Sequence, residues 1–263
     1  MEGLYEYPEL NSKLYLMYKS ITKIEGLHAY KNLRALYLEN NLIKKIEGLE
    51  PLPDLESLFV HNNMITVIEN LTAVPKLKIL NLSCNQIWKL EGLAHLTELQ
   101  SLAISHNYLK DYESIEHLRE CSLTLTNVDL SNNKLEGDEA MIGLFINVKC
   151  LNLMDNPCVR EQKYYRRRMI GHLPNLMYLD SRGIDNEERA IAEAWVREGD
   201  LGLKKVKDDI IRSRQVQKQL RSMEVMQNID RHRNGKIILF KGAIEDCKKE
   251  ITRLQDAMKE LGH

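Results

Sequence analysis

Apolar residues recur between residues 33 and 156 in a frame that repeats every 22 positions over its regular part. The third copy shows the frame most fully, with Leu77, Leu80, Leu82, Asn85, Ile87, Leu90 and Leu93. Leu80 and Leu82 alternate with polar residues, as on a strand that buries one face. The later apolar positions return to the same core. Each copy therefore predicts one strand, one turn and one return segment.

The frame reads L-x-x-L-x-L-x-x-N, which is the pattern of leucine-rich repeats. Its regular copies begin at Leu33, Leu55, Leu77 and Leu99. Two more copies cover residues 125–135 and 148–156, and a degenerate copy lies within residues 1–32. The pattern predicts an α/β fold, a right-handed leucine-rich repeat solenoid with a parallel sheet on its concave face.

An asparagine ends the strand of each copy, at positions 41, 63, 85, 107, 133 and 156. Its side-chain amide can both donate and accept hydrogen bonds. We expect it to bond the turn backbone of its own and the neighbouring repeat, because those buried groups would otherwise lack partners. These asparagines are interpreted as scaffold and not as a chemical site.

The chain divides into three parts by composition. Residues 1–156 hold the repeats, a degenerate N-terminal repeat plus six full copies, and residues 157–199 read as a C-terminal repeat cap and docking helix. The cap is expected to contain a helix from about residue 161 to 172 and one last strand. Asp185 is a plausible N-cap for the docking helix, whose apolar face of Ile191, Ala194 and Trp195 is expected to pack on the last repeat.

Residues 200–263 predict a helical tail of two helices that are broken at Asn234-Gly235. Heptads over residues 237–261 predict a coiled coil. The seam consists of Ile237, Phe240, Ile244, Cys247, Ile251, Leu254, Met258 and Leu261. Such a stripe must pair with something, and the sequence leaves open whether it folds back on this chain or binds a partner or a second copy.

The concave face carries the residues that point to binding. Tyr15, Tyr37 and Phe59 occupy the same position on successive strands, and strands lie about 4.8 Å apart, so a stacked aromatic row is expected. The predicted protein-binding residues are Tyr15, Met17, Tyr18, Tyr37, Phe59, His61, Asn81, His106 and Asp129. Aromatic and methionine side chains are enriched at protein interfaces. The alternative is that neighbouring side chains, or the N-terminal segment, cover this row.

Composition and residue spacing argue against nucleic-acid binding, metal binding and catalysis. The net charge is −1, and the basic stretch from Arg212 to Lys241 has no aromatic residues interleaved among its basic ones to stack on bases, its one aromatic residue being Phe240 near the end. Nucleic acid is therefore not expected as a partner. The histidines show no metal-ligand spacing and no glycine loop could cradle a phosphate. We expect no enzymatic activity, no metal and no cofactor.

Five scattered cysteines predict free thiols in a reducing compartment. The first residues lack the basic and apolar regions of a secretory signal. No stretch of 18 apolar residues predicts a membrane span. We therefore expect an intracellular, soluble protein with no membrane partner.

The return segments, such as Ile46-Glu-Gly-Leu49, are similar to those of the SDS22-like class of leucine-rich repeat proteins. The stretch after the cap is more specific. Leu179-Asp180, Arg182-Gly183-Ile184, Glu188-Arg189-Ala190, Glu193-Ala194-Trp195 and Gly199 resemble the axonemal dynein assembly factor 1 family. Gly183 stands where that family often has proline. The resemblance covers about residues 11–200.

This resemblance implies a cytoplasmic factor that preassembles axonemal dynein arms for cilia or flagella, with dynein chains, chaperones or other assembly factors as partners. Three other readings stay open at this point. They are a phosphatase-regulatory subunit, a ribonucleoprotein adaptor like U2 A-prime, and an axonemal dynein light chain.

Overall fold

The structure is a computed structural model that describes residues 7–121, 123–137 and 139–260. The side chain of Glu139 is outside the described set, and beyond residue 226 side chains are described only at Ile229, Glu245 and Lys249. Of the described residues, those up to 203 belong to one compact unit and residues 204–260 to a second one.

One nine-stranded sheet runs through the first unit in sequence order. Its strands are β1 Lys13–Tyr15, β2 Ala35–Tyr37, β3 Ser57–Phe59, β4 Ile79–Asn81, β5 Ser101–Ala103, β6 Asn127–Asp129, β7 Cys150–Asn152, β8 Tyr178–Leu179 and β9 Arg182–Gly183. Strands β1 to β8 are parallel, and β9 pairs antiparallel with β8. This order confirms the predicted solenoid, because each repeat adds one strand beside the last.

The middle residue of each of strands β1 to β7 points into the core and its neighbours point outward. Leu36, Leu58 and Leu80 are completely buried and lie in register on successive strands. The return-segment residues Ile87 and Leu90 are equally buried and close the core from the other side. We call the outward surface of the sheet the concave face.

The predicted asparagine ladder is present. Asn85 donates from Nδ2 to the carbonyls of Leu82 (2.9 Å) and Val60 (3.1 Å), and its Oδ1 accepts from the Ile65 amide at 3.0 Å. Asn41, Asn63, Asn107, Asn133 and Asn156 repeat the pattern. One side chain thus satisfies buried backbone groups of two repeats. The ladder joins each repeat to its neighbour.

The return segments are short, as prolines at positions 51, 53 and 75 require. A 3₁₀ turn covers Leu71–Ala73, and a longer one covers Glu139–Phe145. The extended fourth return segment contains two short helices, α1 Tyr112–Ile115 and α2 Leu118–Cys121. These helices take up the four additional residues of this repeat, in which Asn133 follows Asn107 by 26 positions and not by 22.

The cap contains α3 Pro157–Glu161 and α4 Tyr165–His172 before β8. The single helix expected from about residue 161 therefore begins later, because Tyr164 adopts a left-handed conformation. Helix α5 Asn186–Glu260 follows, and Asp185 accepts the Glu188 amide at 2.7 Å as its N-cap.

The docking face of α5 differs from the expectation. Ala192 and Ala194 are buried, whereas Ile191 and Trp195 are only half-buried. A Cβ on Gly171 of α4 would lie 2.5 Å from Val196 Cγ2 and 2.8 Å from the Ala192 carbonyl oxygen. Helix α5 therefore packs on the cap helix α4, because only a residue without a side chain allows this close approach.

The predicted break at Asn234-Gly235 is wrong. The backbone of α5 is helical through both residues, and its interruption lies at Gly199, with φ 66° and ψ −148°. A pair of turn-forming residues is therefore accommodated within this helix. The seam side chains Ile237, Phe240, Ile244, Cys247, Ile251, Leu254, Met258 and Leu261 lie outside the described residues, so the coiled coil stays a prediction.

Candidate protein-binding face

The three aromatic residues at the N-terminal end of the concave face form the expected row. The Tyr15 and Tyr37 rings stack with centroids 4.6 Å apart and planes 19° apart. Tyr37 and Phe59 stack at 4.7 Å and 6°. The stack covers both faces of the Tyr37 ring and one face each of the Tyr15 and Phe59 rings, so the ring edges are the part that all three present on the concave face. Tyr15 is 45% exposed and the other two are half-buried.

A second column runs beside this row and contains Met17, Glu39 and His61 on successive repeats. Met17 and His61, both predicted, are half-buried. Glu39 was missed by sequence reasoning, although its spacing of 22 from both neighbours places it in the column. Glu39 Oε2 and His61 Nδ1 are buried and have no hydrogen-bond partner in the described structure. Unpaired buried polar atoms are costly, so a partner that bonds them would gain from doing so.

A third column lies where each strand ends and has left-handed backbone conformations throughout. It contains the predicted residues Tyr18 (φ 57°) and His106 (φ 54°), together with Asn40, Asn62, Cys84, Asn132 and Asp155. Tyr18 is 75% exposed and His106 is also exposed. Asparagine tolerates this conformation better than bulky residues do. Tyrosine and histidine here place large side chains at the rim of the concave face.

The predicted polar residues Asn81 and Asp129 lie at the C-terminal continuation of the aromatic row. Asn81 Oδ1 accepts the Ser83 amide at 3.1 Å. Asp129 Oδ1 accepts from the Ser131 amide at 3.0 Å and from the Ser131 hydroxyl at 2.7 Å. Farther along, Asn152 Oδ1 accepts the Met154 amide at 3.2 Å. These three residues therefore close the same local turn on three strands.

An open depression of about 410 Å³ surrounds Asp129 on the concave face. Residues 101–103 of β5, 127–129 of β6 and 150–152 of β7 line it, with Tyr178 and Ser181 at one end. It exists because Ser101 and Ala103 are small where the preceding strand carries Ile79 and Asn81. Asp129 is a predicted binding residue, whereas the depression around it was not predicted from the sequence; the change from large to small residues between β4 and β5 is its signal in the sequence.

The family-like stretch after the cap closes the end of the solenoid. Asp180 Oδ1 accepts the Leu153 amide at 2.9 Å. In the preceding repeat the equivalent amide, that of Leu130, bonds the backbone carbonyl of Asn152 on the next strand. Here a side-chain oxygen replaces that carbonyl. Burial raises the pKa of Asp180. The Arg189 guanidinium donates to the carbonyls of Leu173 (3.3 Å) and Leu176. These motif residues therefore have structural roles.

Two neighbouring arginines on α4 also have partners within the cap. Arg166 forms a two-pronged ion pair with Glu188, at 2.7 and 2.8 Å. The Arg167 guanidinium lies 4.9 Å from the Tyr164 ring centroid and 5.5 Å from that of Trp195. The guanidinium groups of Arg166 and Arg167 are therefore engaged by other cap and α5 side chains.

The described residues give no sign of metal chemistry: no group of three His, Cys, Asp or Glu side chains among them could hold a metal ion. Cys84, Cys121, Cys150 and Cys158 are free thiols. Burial raises the pKa of Cys121 and of Cys158 to about 11. Among the helices of the described residues, none combines the length and apolar character needed to cross a membrane.

The repeat assignment agrees with a comparison of the sequence with protein families. A family model described as leucine-rich repeat matches residues 61–208, which is more than half of the chain. The chain belongs to the leucine-rich repeat family. Among solved structures, an internalin (inlF) from Listeria monocytogenes is similar, with a TM-score of 0.55 and 23% identity over 71% of this chain and 53% of that chain. This likeness shows the fold alone.

Part of the chain is similar to named proteins from several organisms. The human protein named dynein axonemal assembly factor 1 is 42% identical over 83 residues, 31% of this chain and 11% of that protein. The leucine-rich repeat-containing protein ODA7 of Chlamydomonas reinhardtii is 40% identical over 83 residues, 30% of this chain and 19% of that protein. The Drosophila melanogaster homolog of dynein axonemal assembly factor 1 is 44% identical over 85 residues, 31% of this chain and 6% of that protein. The matches span less than a fifth of each relative.

Proposed function

We propose that this protein is a non-enzymatic interaction scaffold that helps to preassemble axonemal dynein arms in the cytoplasm, before they reach cilia or flagella. The similarity to proteins named dynein axonemal assembly factor 1 supports a role in dynein arm assembly. Membership of the leucine-rich repeat family supports the scaffold, because stacked repeats create an extended binding surface. Dynein chains are the proposed clients, and chaperones or other assembly factors are the proposed co-partners.

The observation that carries the scaffold proposal is the aromatic row of Tyr15, Tyr37 and Phe59. Stacking holds the three rings in place before any partner arrives, so little side-chain entropy is lost on binding. Ring edges carry partial positive charge and favour the faces of other aromatic rings. A client segment with an aromatic or apolar side chain therefore fits this end of the concave face.

The proposal is tested by capture of partners from the soluble extract of ciliated cells of the source organism. The full chain is compared with the double variant Tyr37→Ala/Phe59→Ala, and mass spectrometry identifies the captured proteins. Trp88→Ala is the matched control, because Trp88 is 60% exposed but belongs to a return segment and not to the sheet. We expect axonemal dynein heavy or intermediate chains with wild type and Trp88→Ala, and a loss of at least about tenfold with the double variant.

Other outcomes separate the alternatives. Capture of a phosphatase catalytic subunit or of spliceosomal proteins in place of dynein would overturn the assembly proposal. If the double variant captures dynein as well as wild type does, the role in dynein assembly would still be supported. The aromatic row would then not be the surface that binds dynein. A dynein light chain would remain in detergent-extracted axonemes, whereas an assembly factor is expected in the soluble fraction.

A further inference from the structure

Asp129 makes the same turn as its neighbours on the concave face but adds a charge that the turn does not need. Asn81 and Asn152 each accept a backbone amide two residues later, as Asp129 does. Both hydrogen bonds that the described residues give to Asp129 end on one oxygen, Oδ1. Asparagine closes this turn elsewhere in the chain, so the turn alone does not account for a carboxylate at 129.

The side chains that line the depression around Asp129 carry no opposite charge that would pair with its carboxylate. Ala103 lies beside it in register on one side and Asn152 on the other. Of the residues that line the depression of about 410 Å³, Asp129 is the one with a formal charge at neutral pH. The strand backbones and the Tyr178 ring provide an uncharged wall. A single carboxylate in such a site favours a cation with an apolar stem.

We propose that the depression around Asp129 binds a lysine or arginine side chain of an extended partner segment. Charge complementarity carries this choice: the head group pairs with Asp129, and the aliphatic stem covers the uncharged wall. This inference rests on the proposed scaffold role, and it names the chemistry of the client at the end of the face opposite the aromatic row.

The test uses a defined probe and does not require the client. Four pools of immobilised twelve-residue peptides of random sequence carry arginine, lysine, glutamate or norleucine at one fixed central position. Retention of the full-length chain is measured on each pool at low salt. We expect the arginine and lysine pools to retain about tenfold more protein than the norleucine pool, the equivalent of one modest charge pair. Added salt should reduce this difference.

Asp129→Asn is the decisive variant, because the neighbouring strands show that asparagine makes this turn. We expect it to fold with an unchanged thermal midpoint and to lose the preference for basic pools. Glu113→Gln is the matched control, since Glu113 is an exposed carboxylate on α1. It removes the same charge outside the sheet and should keep the preference.

The half-buried thiol of Cys150 lines the depression and reports on its occupancy. The arginine pool in solution should slow alkylation of Cys150, and the norleucine pool should not. The proposal is overturned if the basic pools are not preferred, if no pool is retained, or if Asp129→Asn keeps the preference. Dynein capture by Asp129→Asn at wild-type levels would contradict this inference alone, whereas failure of the wild-type chain to capture dynein would contradict the proposed function.

Discussion

Arg166 on α4 and Glu188 on α5 join the cap to the docking helix through two parallel hydrogen bonds, Nε to Oε1 at 2.7 Å and Nη2 to Oε2 at 2.8 Å. About three quarters of each side chain is buried, with 23% and 26% left exposed. The same guanidinium donates to the carbonyls of Leu179 (3.0 Å) and Gly183 (3.1 Å). One side chain thus holds together a helix, the last strand pair and the start of α5.

Glu188→Gln should destabilise the repeat unit. The amide keeps the shape but loses the charge of a partly buried two-pronged pair, so we expect the free energy of unfolding in urea to fall by about 1 kcal/mol at pH 7. Arg166 lowers the pKa of Glu188 below its ordinary value of 4.5. This stabilisation is present above that value and is lost as the pH falls through the folded-state pKa, so variant and wild type should converge in acid. Glu98→Gln, an exposed control, should match wild type at both pH values.

Asn85→Ala should be more costly, because it leaves the buried Ile65 amide without its acceptor. It also removes one of the two side-chain donors to each of the carbonyls of Val60 and Leu82, which Asn63 and Asn107 also bond. We expect a loss of about 3 kcal/mol in the free energy of unfolding, measured by urea titration. Asn127→Ala is the matched control, since Asn127 is an exposed asparagine on β6. It should cost less than about 0.5 kcal/mol. Equal losses for the two variants would contradict the structural role of the ladder.

Cysteine alkylation should follow burial. Cys121 and Cys158 are buried with pKa values of about 11, so little thiolate forms at pH 8 and the reagent has little access. Iodoacetamide followed by peptide mass spectrometry should label half-buried Cys150 in the native protein, and label Cys121 and Cys158 only after urea is added. Rapid labelling of Cys158 in the native protein would contradict the packing of the cap.

Gly199→Ala should change the start of α5. The conformation at Gly199 is open almost only to glycine, so alanine should cost about 1–3 kcal/mol there or drive the segment into helix. Trp195 Nε1 donates to Asp200 Oδ1 at 3.2 Å across this point, and that bond should be lost. Fluorescence of Trp195 in a Trp88→Phe background measures the change. Gly143→Ala, where an added Cβ would contact nothing, should leave the spectrum unaltered.

The regular part of the fold was predictable because its signal is local and repeated. Leucine spacing and the ladder asparagines predicted the sheet order, the core and the stacked row of Tyr15, Tyr37 and Phe59. The break in α5 was predicted at the wrong place. Asn234-Gly235 reads as a turn in sequence, yet one glycine inside a long helix costs only about 1 kcal/mol, whereas the interruption occurs at Gly199, where the backbone is left-handed.

By itself, the sequence determined the repeat architecture and the columns of the concave face. Residues one repeat period apart pair on neighbouring strands, so the period of the sequence fixes the register of the sheet. Only the tertiary structure decided how the end of the solenoid is closed. The side chains of Arg166, Asp180 and Arg189 form hydrogen bonds with groups 13 to 27 residues away in sequence, and most of these groups are backbone amides or carbonyls that carry no sequence signal. The depression around Asp129 also depends on the tertiary structure, since its lining residues come from the three separate strands β5, β6 and β7.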